Sequence, residues 1–440
     1  MNIDRRRFLA VAGVSATVSA AGLVNDRKGV ASVNPDIPTA AEMSWPAVRE
    51  QFDGLAADRI HMSSFFLASH PKSVREAIDK HRRGIDADPY TYIESNILRM
   101  PAALQAAAAE YLGGRPEEVA ITNSTTMGLS FVYQGLPLAA GDEILTTAHD
   151  HFVHHESVRL ACERSNATFR KISLFDDINK VSELDIVDRI RKAVSQKTRV
   201  LGVTWVHSST GLKLPIREIA AAVSEINKNR SNSERIILIV DGVHGFGVED
   251  VDIAATGVDF FIAGTHKWIF GPRGTGIIWA KEANWKRLRM VFPAFAMETF
   301  GAWASGTKLT APMQASWIVP GGFHAFEYEW ALPAAFEFHK RIGRSRVAAR
   351  IHELNDQCKK GLARMRNVKL HTPLGDNLSA GLIAFDIDGM KPGEVVDKLR
   401  AKRVIASTSP YAISHARLAP SLLNTEQEVD ETLRAVRDMA

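Results

Sequence analysis

Cysteine is almost missing from this chain: Cys162 and Cys358 are the only two among 440 residues, and neither belongs to a Cys-x-x-Cys pair. A zinc-ribbon or disulfide-framework protein is therefore excluded, and at most a single bridge between the two stays open. An excess of one charge is missing too. Lys+Arg 54 against Asp+Glu 50 gives a net charge of +4 without a basic stripe interleaved with aromatics, so no nucleic-acid surface is expected. No apolar run is long enough to be kept as a membrane span, and no internal repeat marks a solenoid. What the chain does have is a 45% apolar composition, enough for a large core and more than one domain. That balance suits an enzyme acting on a small molecule.

The first residues have a character of their own. Asp4-Arg5-Arg6-Arg7-Phe8-Leu9 leads into a weakly apolar run ending in small residues, with Val18-Ser19-Ala20 as a cleavage site. This pattern resembles a twin-arginine export signal over residues 1–20, and it implies a periplasmic enzyme exported in the folded state. Residues 21–58 read as a linker with one short helix near 41–52. A large domain is expected over 59–325 and a smaller C-terminal one over 326–440.

Through residue 280, apolar strand-like runs alternate with helical periodicity. That order calls for an α/β fold: a doubly wound domain with a mostly parallel sheet, followed by a smaller α+β layer. Strands are expected near 119–122, 143–147, 168–172, 199–204, 236–241, 260–264 and 276–280. Helices are expected at 97–112, 183–194 and from 215 onward. Residues 288–323 are apolar, poor in charge and aperiodic, as in a lid or an interface segment. Beyond 327 a long helical pattern runs to about 365. Strands at 380–387 and 412–418 and helices at 392–402 and 426–439 complete the chain.

The chemistry concentrates where strands end. Ile236-Ile-Leu-Ile-Val-Asp241 is a buried strand delivering a carboxylate, and three residues later comes His244. A second apolar run delivers Thr265-His266-Lys267. In open α/β sheets ligands sit at the carboxyl ends of strands, so Asp241 and Lys267 are expected to face one crevice. Upstream, the 119–122 strand breaks into Ser124-Thr125-Thr126 at the start of a helix, a ready anion site. His149, His151, His154 and His155 fall within seven residues, but their spacing lacks the two-histidine helical pattern of a metal site, and His151 suits a ring lying over a planar cofactor better. Gly271-Pro-Arg-Gly274-Thr-Gly276 precedes a strand, so it is not a dinucleotide fingerprint. An acid for a pyridine nitrogen, a Schiff-base lysine, an anion cradle and a ring-stacking histidine together point to pyridoxal phosphate. Each residue also has an ordinary alternative: a cap for Asp241, a core histidine for His244, a surface lysine for Lys267.

These motifs resemble the class V aminotransferase superfamily, with the tightest similarity to isopenicillin-N-epimerase-like proteins. Asp241-Gly-Val-His244, Thr265-His266-Lys267, Asp150-His151 and His207-Ser208 each match a family segment, and Arg417-Leu-Ala-Pro-Ser-Leu-Leu-Asn424-Thr425 resembles its C-terminal arginine motif. The resemblance implies a fold type I enzyme, commonly a homodimer, acting at the α-carbon of an amino acid or peptidyl amino acid. By the same resemblance Thr265 and His266 join the Ser124-Thr125-Thr126 cradle at the phosphate, Ser208 and His244 serve the phenolic oxygen, and Arg417 the substrate carboxylate. A desulfurase reading is disfavoured because residues 405–411 contain no cysteine. Phe323 stands where relatives place a threonine that reaches the partner's phosphate, which argues against that contact here. A periplasmic siderophore-modifying enzyme is the runner-up, and a non-catalytic homologue a third reading.

Overall fold

The computed structural model describes residues 43–318 and 322–439. The export signal, its cleavage site and most of the linker lie outside the described residues. Among the described residues no helix is long and apolar enough to cross a membrane.

In chain order the strands are β1 (Ile60–His61), β2 (Val119–Thr122), β3 (Glu143–Thr147), β4 (Thr168–Ile172), β5 (Thr198–Thr204), β6 (Ile237–Asp241), β7 (Phe260–Gly264), β8 (Gly276–Trp279), β9 (Val368–Leu370), β10 (Ile383–Ile387), β11 (Val404–Ile405), β12 (Ser407–Thr408) and β13 (Ala416–Leu418). Seven of them form the central sheet in the order β2-β8-β7-β6-β5-β3-β4, parallel except for β8. The α/β expectation is met. All five residues of β6 are buried, as are all five of β7, because helices cover both faces of the sheet. Burying each Val, Ile or Phe contributes roughly 1.5–3 kcal/mol, and the same strands carry polar residues at their carboxyl ends against that gain.

One helix is brought unusually close. Thr125–Gly135 packs on β7 and β8 at Gly128, where a Cβ would lie 2.6 Å from Ile262 Cγ2. Hydrogen gives the helix room, so its N-terminus reaches the edge of the crevice. Thr125 Oγ1 then accepts a 2.7 Å bond from the Gly264 N–H and ties that N-terminus to the end of β7.

The C-terminal layer is a four-stranded antiparallel sheet, β12-β13-β10-β9, backed by the helices Arg344–Ala363, Pro392–Ala401 and Glu426–Arg437. The helical pattern read from 327 to 365 is three helices in fact: Phe326–Glu329, Leu332–Ile342 and Arg344–Ala363. Gly343 at φ 94° makes the second break, a conformation that L side chains rarely adopt. Packing changes hands along the last of these helices. Val347 and Ile351 belong to the core of the large sheet, whereas Leu354, Cys358 and Leu362 belong to that of the small one. The N-terminal segment joins the small layer as well, through parallel pairing of β1 with β11 and through buried Met62.

Two expectations need correction. Residues 412–415 are not strand: β13 begins only at Ala416, because Ser414 Oγ donates to Ser409 O and curls the preceding loop back on itself. The expected helix at 97–112 starts at Arg99, and a separate helix, Pro89–Asn96, precedes it, with Asp88 as its cap. Both cysteines are buried and free, so no bridge forms.

Candidate active site

Five strand ends of the large sheet meet β13 of the small layer and the loop before it around a cleft of about 260 Å³. Its lining includes Ser124, Thr125 and Thr126 from the end of β2, His151 after β3, Ser208 after β5, Asp241 and His244 after β6, His266 and Lys267 after β7, and Arg417 on β13. Ten of the eleven residues singled out in the sequence are thus brought together. Thr265 is the exception. Its side chain is fully buried and its hydroxyl pairs with that of Thr275, so it braces the β7–β8 turn and does not line the cleft.

Asp241 is 2% exposed, and only Oδ1 is engaged, by the Val243 N–H at 3.1 Å. Burial pushes its carboxyl up to about 7, against the pull of that bond and of Lys267. A buried carboxyl with one oxygen free toward a cleft is suited to a cationic partner such as a protonated ring nitrogen.

Lys267 is not a surface lysine. Its Nζ lies 3.2 Å from His244 Nε2, and burial lowers its ammonium to about 8 despite attraction from Asp241. The neighbouring geometry fixes the proton arrangement. Trp268 Nε1–H, which can only donate, points at His244 Nδ1 at 3.3 Å, so the neutral imidazole carries its proton on Nε2. That N–H can bond Nζ only when the lysine offers a lone pair. Burial also holds His244 well below the usual imidazole range, so the ring stays neutral. The arrangement favours a free, nucleophilic amine.

His151 caps the helix Phe152–Ser165, accepting from the Val153 N–H, and its ring meets Tyr411 edge-on at 6.0 Å. Burial, then Lys267 and Arg417, lower it to about 4, leaving a neutral ring at the cleft wall. The preceding Asp150 is buried and accepts from Thr146 Oγ1, Thr147 N and Thr204 N at 2.6–2.8 Å. These bonds and the nearby His154 and His207 outweigh burial and bring it down to about 2. Its part is to anchor the turn that presents His151. The other three histidines of the cluster take separate partners: His149 stacks on Phe175, His154 bonds Tyr133, and His155 bonds Thr147 O.

At the N-terminus of Thr125–Gly135, Ser124 Oγ accepts from Met127 N as an N-cap. First-turn N–H groups have no intrahelical acceptor, so those of Thr125 and Thr126 suit an anion.

Arg417 is 4% exposed. It donates to two backbone carbonyls, Ser208 O at 2.8 Å and Thr408 O at 2.7 Å, lies 4.8 Å over the Phe65 ring, and leaves Nε unpaired. Among the described residues no carboxylate pairs with it, and burial lowers it to about 10. A buried guanidinium without an acid is a site for an incoming carboxylate. Phe65 is core and 1% exposed, whereas Phe66, 71% exposed, stands at the cleft mouth.

Sequence reasoning missed Tyr411. Its hydroxyl bonds Ser208 Oγ at 2.6 Å, bridging the small-layer loop to the end of β5. It was visible only as the last residue of a cysteine-free segment.

Comparison with known proteins agrees with this geometry. The profile of the family described as Aminotransferase class-V matches residues 76–435. Isopenicillin N epimerase from Streptomyces clavuligerus is 24% identical over 83% of this chain and 91% of its own length. A probable cysteine desulfurase from Halalkalibacterium halodurans is 25% identical over 88% of this chain and 94% of its own. Among solved structures, a lysine-to-alanine variant of C-DES with glycine covalently linked to its PLP cofactor superposes with a TM-score of 0.78 at 22% identity, covering 89% of this chain and 99% of that one. The chain belongs to the class-V aminotransferase family and is a pyridoxal-phosphate-dependent enzyme.

Proposed function

We propose that this enzyme acts at the α-carbon of an amino acid or peptidyl amino acid, in the manner of an epimerase and not of a cysteine desulfurase. The observation that carries the reading is the pairing of Lys267 and Arg417 in one cleft: a free amine beside a buried guanidinium that has no acid of its own. Pyridoxal phosphate supplies an electron sink that stabilises negative charge at the substrate α-carbon. The remaining chemistry belongs to the chain. Asp241 would keep the ring nitrogen protonated, His151 would cover the ring, Ser208 and His244 would serve its oxygen, and Thr125, Thr126 and His266 would hold the phosphate, with Ser124 shaping the turn. Lys267 would hold the cofactor and, once free of it, would take the α-proton from its own face, and inversion follows when the proton returns to the opposite face. Arg417 grips the carboxylate and fixes which bond at the α-carbon faces Lys267.

The thiols speak against sulfur transfer. Burial raises Cys162 to about 11 and Cys358 to about 12, and the loop over the cleft presents Tyr411 and Pro410 instead of a cysteine. None of the relatives named above modifies a siderophore, so that runner-up is not favoured. Residues 1–20 support a proposed twin-arginine route to the periplasm, which fractionation of cells carrying Arg5→Lys/Arg6→Lys would test. Exposed Phe295, Trp303 and Phe323 in the 288–323 segment support a proposed homodimer, which light scattering would test.

The deciding experiment is α-deuterium exchange in D2O across free amino acids and short peptides. Exchange with inversion and no side-chain product is expected. Release of sulfur from cysteine at comparable rates, without exchange, would contradict the proposal.

A further inference from the structure

Away from the proposed chemistry, three strands of the small sheet bring together three side chains that the reaction does not use. Asp386 lies on β10, one residue beyond the Phe385–Ala416 pair, which sets it opposite His415, the residue just before β13. On the other side, His371 follows β9 and donates its backbone N–H to Ala384 O. The three side chains converge. His371 Nε2 is 2.7 Å from Asp386 Oδ2, and His415 Nδ1 is 2.9 Å from Oδ2 and 3.0 Å from Oδ1. The two imidazole rings stack with centroids 3.9 Å apart at 29°, and all the candidate ligand atoms lie within 4.8 Å of one another.

We propose that His371, Asp386 and His415 form a binding site for one divalent transition-metal ion of the Zn²⁺ class, with a further coordination position open to water. Two imidazole nitrogens and one carboxylate oxygen are a ligand set that zinc and its neighbours accept, whereas calcium and magnesium prefer oxygen alone. The geometry is nearly in place. Bonds of about 2.0–2.1 Å in a tetrahedron put ligand atoms about 3.3 Å apart, so the present contacts need to open by only about half an ångström. Among the described residues Asp386 has no lysine or arginine partner. Lys369, paired opposite it across β9, makes no ion pair with it among the described residues. Side-chain exposures of 13%, 32% and 9% for His371, Asp386 and His415 leave an approach from solvent on the Asp386 side.

The position gives such an ion a consequence. His415 N donates to Ser409 Oγ and its carbonyl accepts from Ser409 N, closing the loop 409–415 that carries Pro410 and Tyr411 over the cleft. Arg417 stands two residues further along the chain, on β13. An ion held by β10 and by the residues just after β9 and just before β13 would staple the base of that loop.

Calorimetric titration of Zn²⁺ into the holoenzyme, with its lysine-linked cofactor first reduced by borohydride so that the cofactor does not compete, tests the site. The expected result is one ion per chain with Kd of about 10 μM or below, weakened at least ~30-fold in His371→Ala and in Asp386→Asn. Both variants are checked for folding by the unchanged cofactor band. X-ray absorption of the Zn²⁺-loaded wild type reads the ligands without any substitution, and two imidazoles with one carboxylate are expected. Binding no tighter than about 1 mM, equal binding in wild type and both variants, or an absorption spectrum without imidazole ligands overturns the proposal.

Discussion

Replacing Arg417 by glutamine separates substrate recognition from folding. In the free enzyme the guanidinium spends two N–H groups on Ser208 O and Thr408 O, and its Nε has no protein partner. A substrate carboxylate arriving there gains charge-assisted bonds worth roughly 1.5–3 kcal/mol each, so a bidentate pair is worth about 3–6 kcal/mol. At 1.4 kcal/mol per decade, Arg417→Gln is expected to lower kcat/KM by about 10²–10⁴. Arg417→Lys keeps the charge but loses the planar fork, and a loss of roughly 10–100-fold is expected. The assay compares α-deuterium exchange on the best amino acid with exchange on its α-amide. Wild type should prefer the acid, and Arg417→Gln should lose that preference. Thermal melts with cofactor bound show whether the freed carbonyls disturb the loop. A variant within threefold of wild type on the acid, or one that keeps the preference, would refute the role given to Arg417.

Asp241 makes a pH prediction for the cofactor-free protein. Its folded carboxyl, near 7, sits above its ordinary value of 3.8, so the folded state holds more protons between those two values. Stability from this group is therefore present below about pH 4 and is lost as pH rises toward 7, by up to about 4 kcal/mol in all. The difference in unfolding free energy between wild type and Asp241→Asn should widen over that window in favour of the variant, and a flat difference would contradict the assignment. A Cys162→Ala/Cys358→Ala double variant, although destabilised by the loss of buried sulfur, should keep kcat within about twofold of wild type, since burial raises both thiols out of the reactive range. A loss above tenfold in well-folded protein would reopen sulfur chemistry.

The parts of the site that sit on single strands were legible in the sequence. An apolar run ending in Asp241, another ending near Lys267, and a strand breaking into Ser124-Thr125-Thr126 each carry their chemistry locally, and an open parallel sheet gathers strand ends on one side. Thr265 shows the limit of that logic. The regular strand ends at Gly264, and beyond it the Thr265 hydroxyl turns to Thr275 while His266 and Lys267 turn to the cleft. Tyr411 and the His371–Asp386–His415 group escaped for a different reason. They depend on which strands of the small sheet are neighbours, and short strands such as β9, β12 and β13, of two or three residues, give too little alternation to set a register. Residues 412–415 read as strand because Ala412 and Ile413 are apolar, yet Ile413 is 76% exposed and turned to solvent. The long C-terminal helix pattern hid its second break because one glycine, Gly343, interrupts the period without changing it.

The central claim is that Lys267 carries the cofactor, and the absorption spectrum of the purified protein tests it most directly. A visible band in the range of about 400–430 nm, abolished by borohydride and leaving the cofactor fixed on the peptide that contains Lys267, is expected for wild type. Lys267→Ala should show no borohydride-fixed cofactor on that peptide. Wild-type protein that stays colourless with added pyridoxal phosphate, or label recovered on another lysine, would contradict the account.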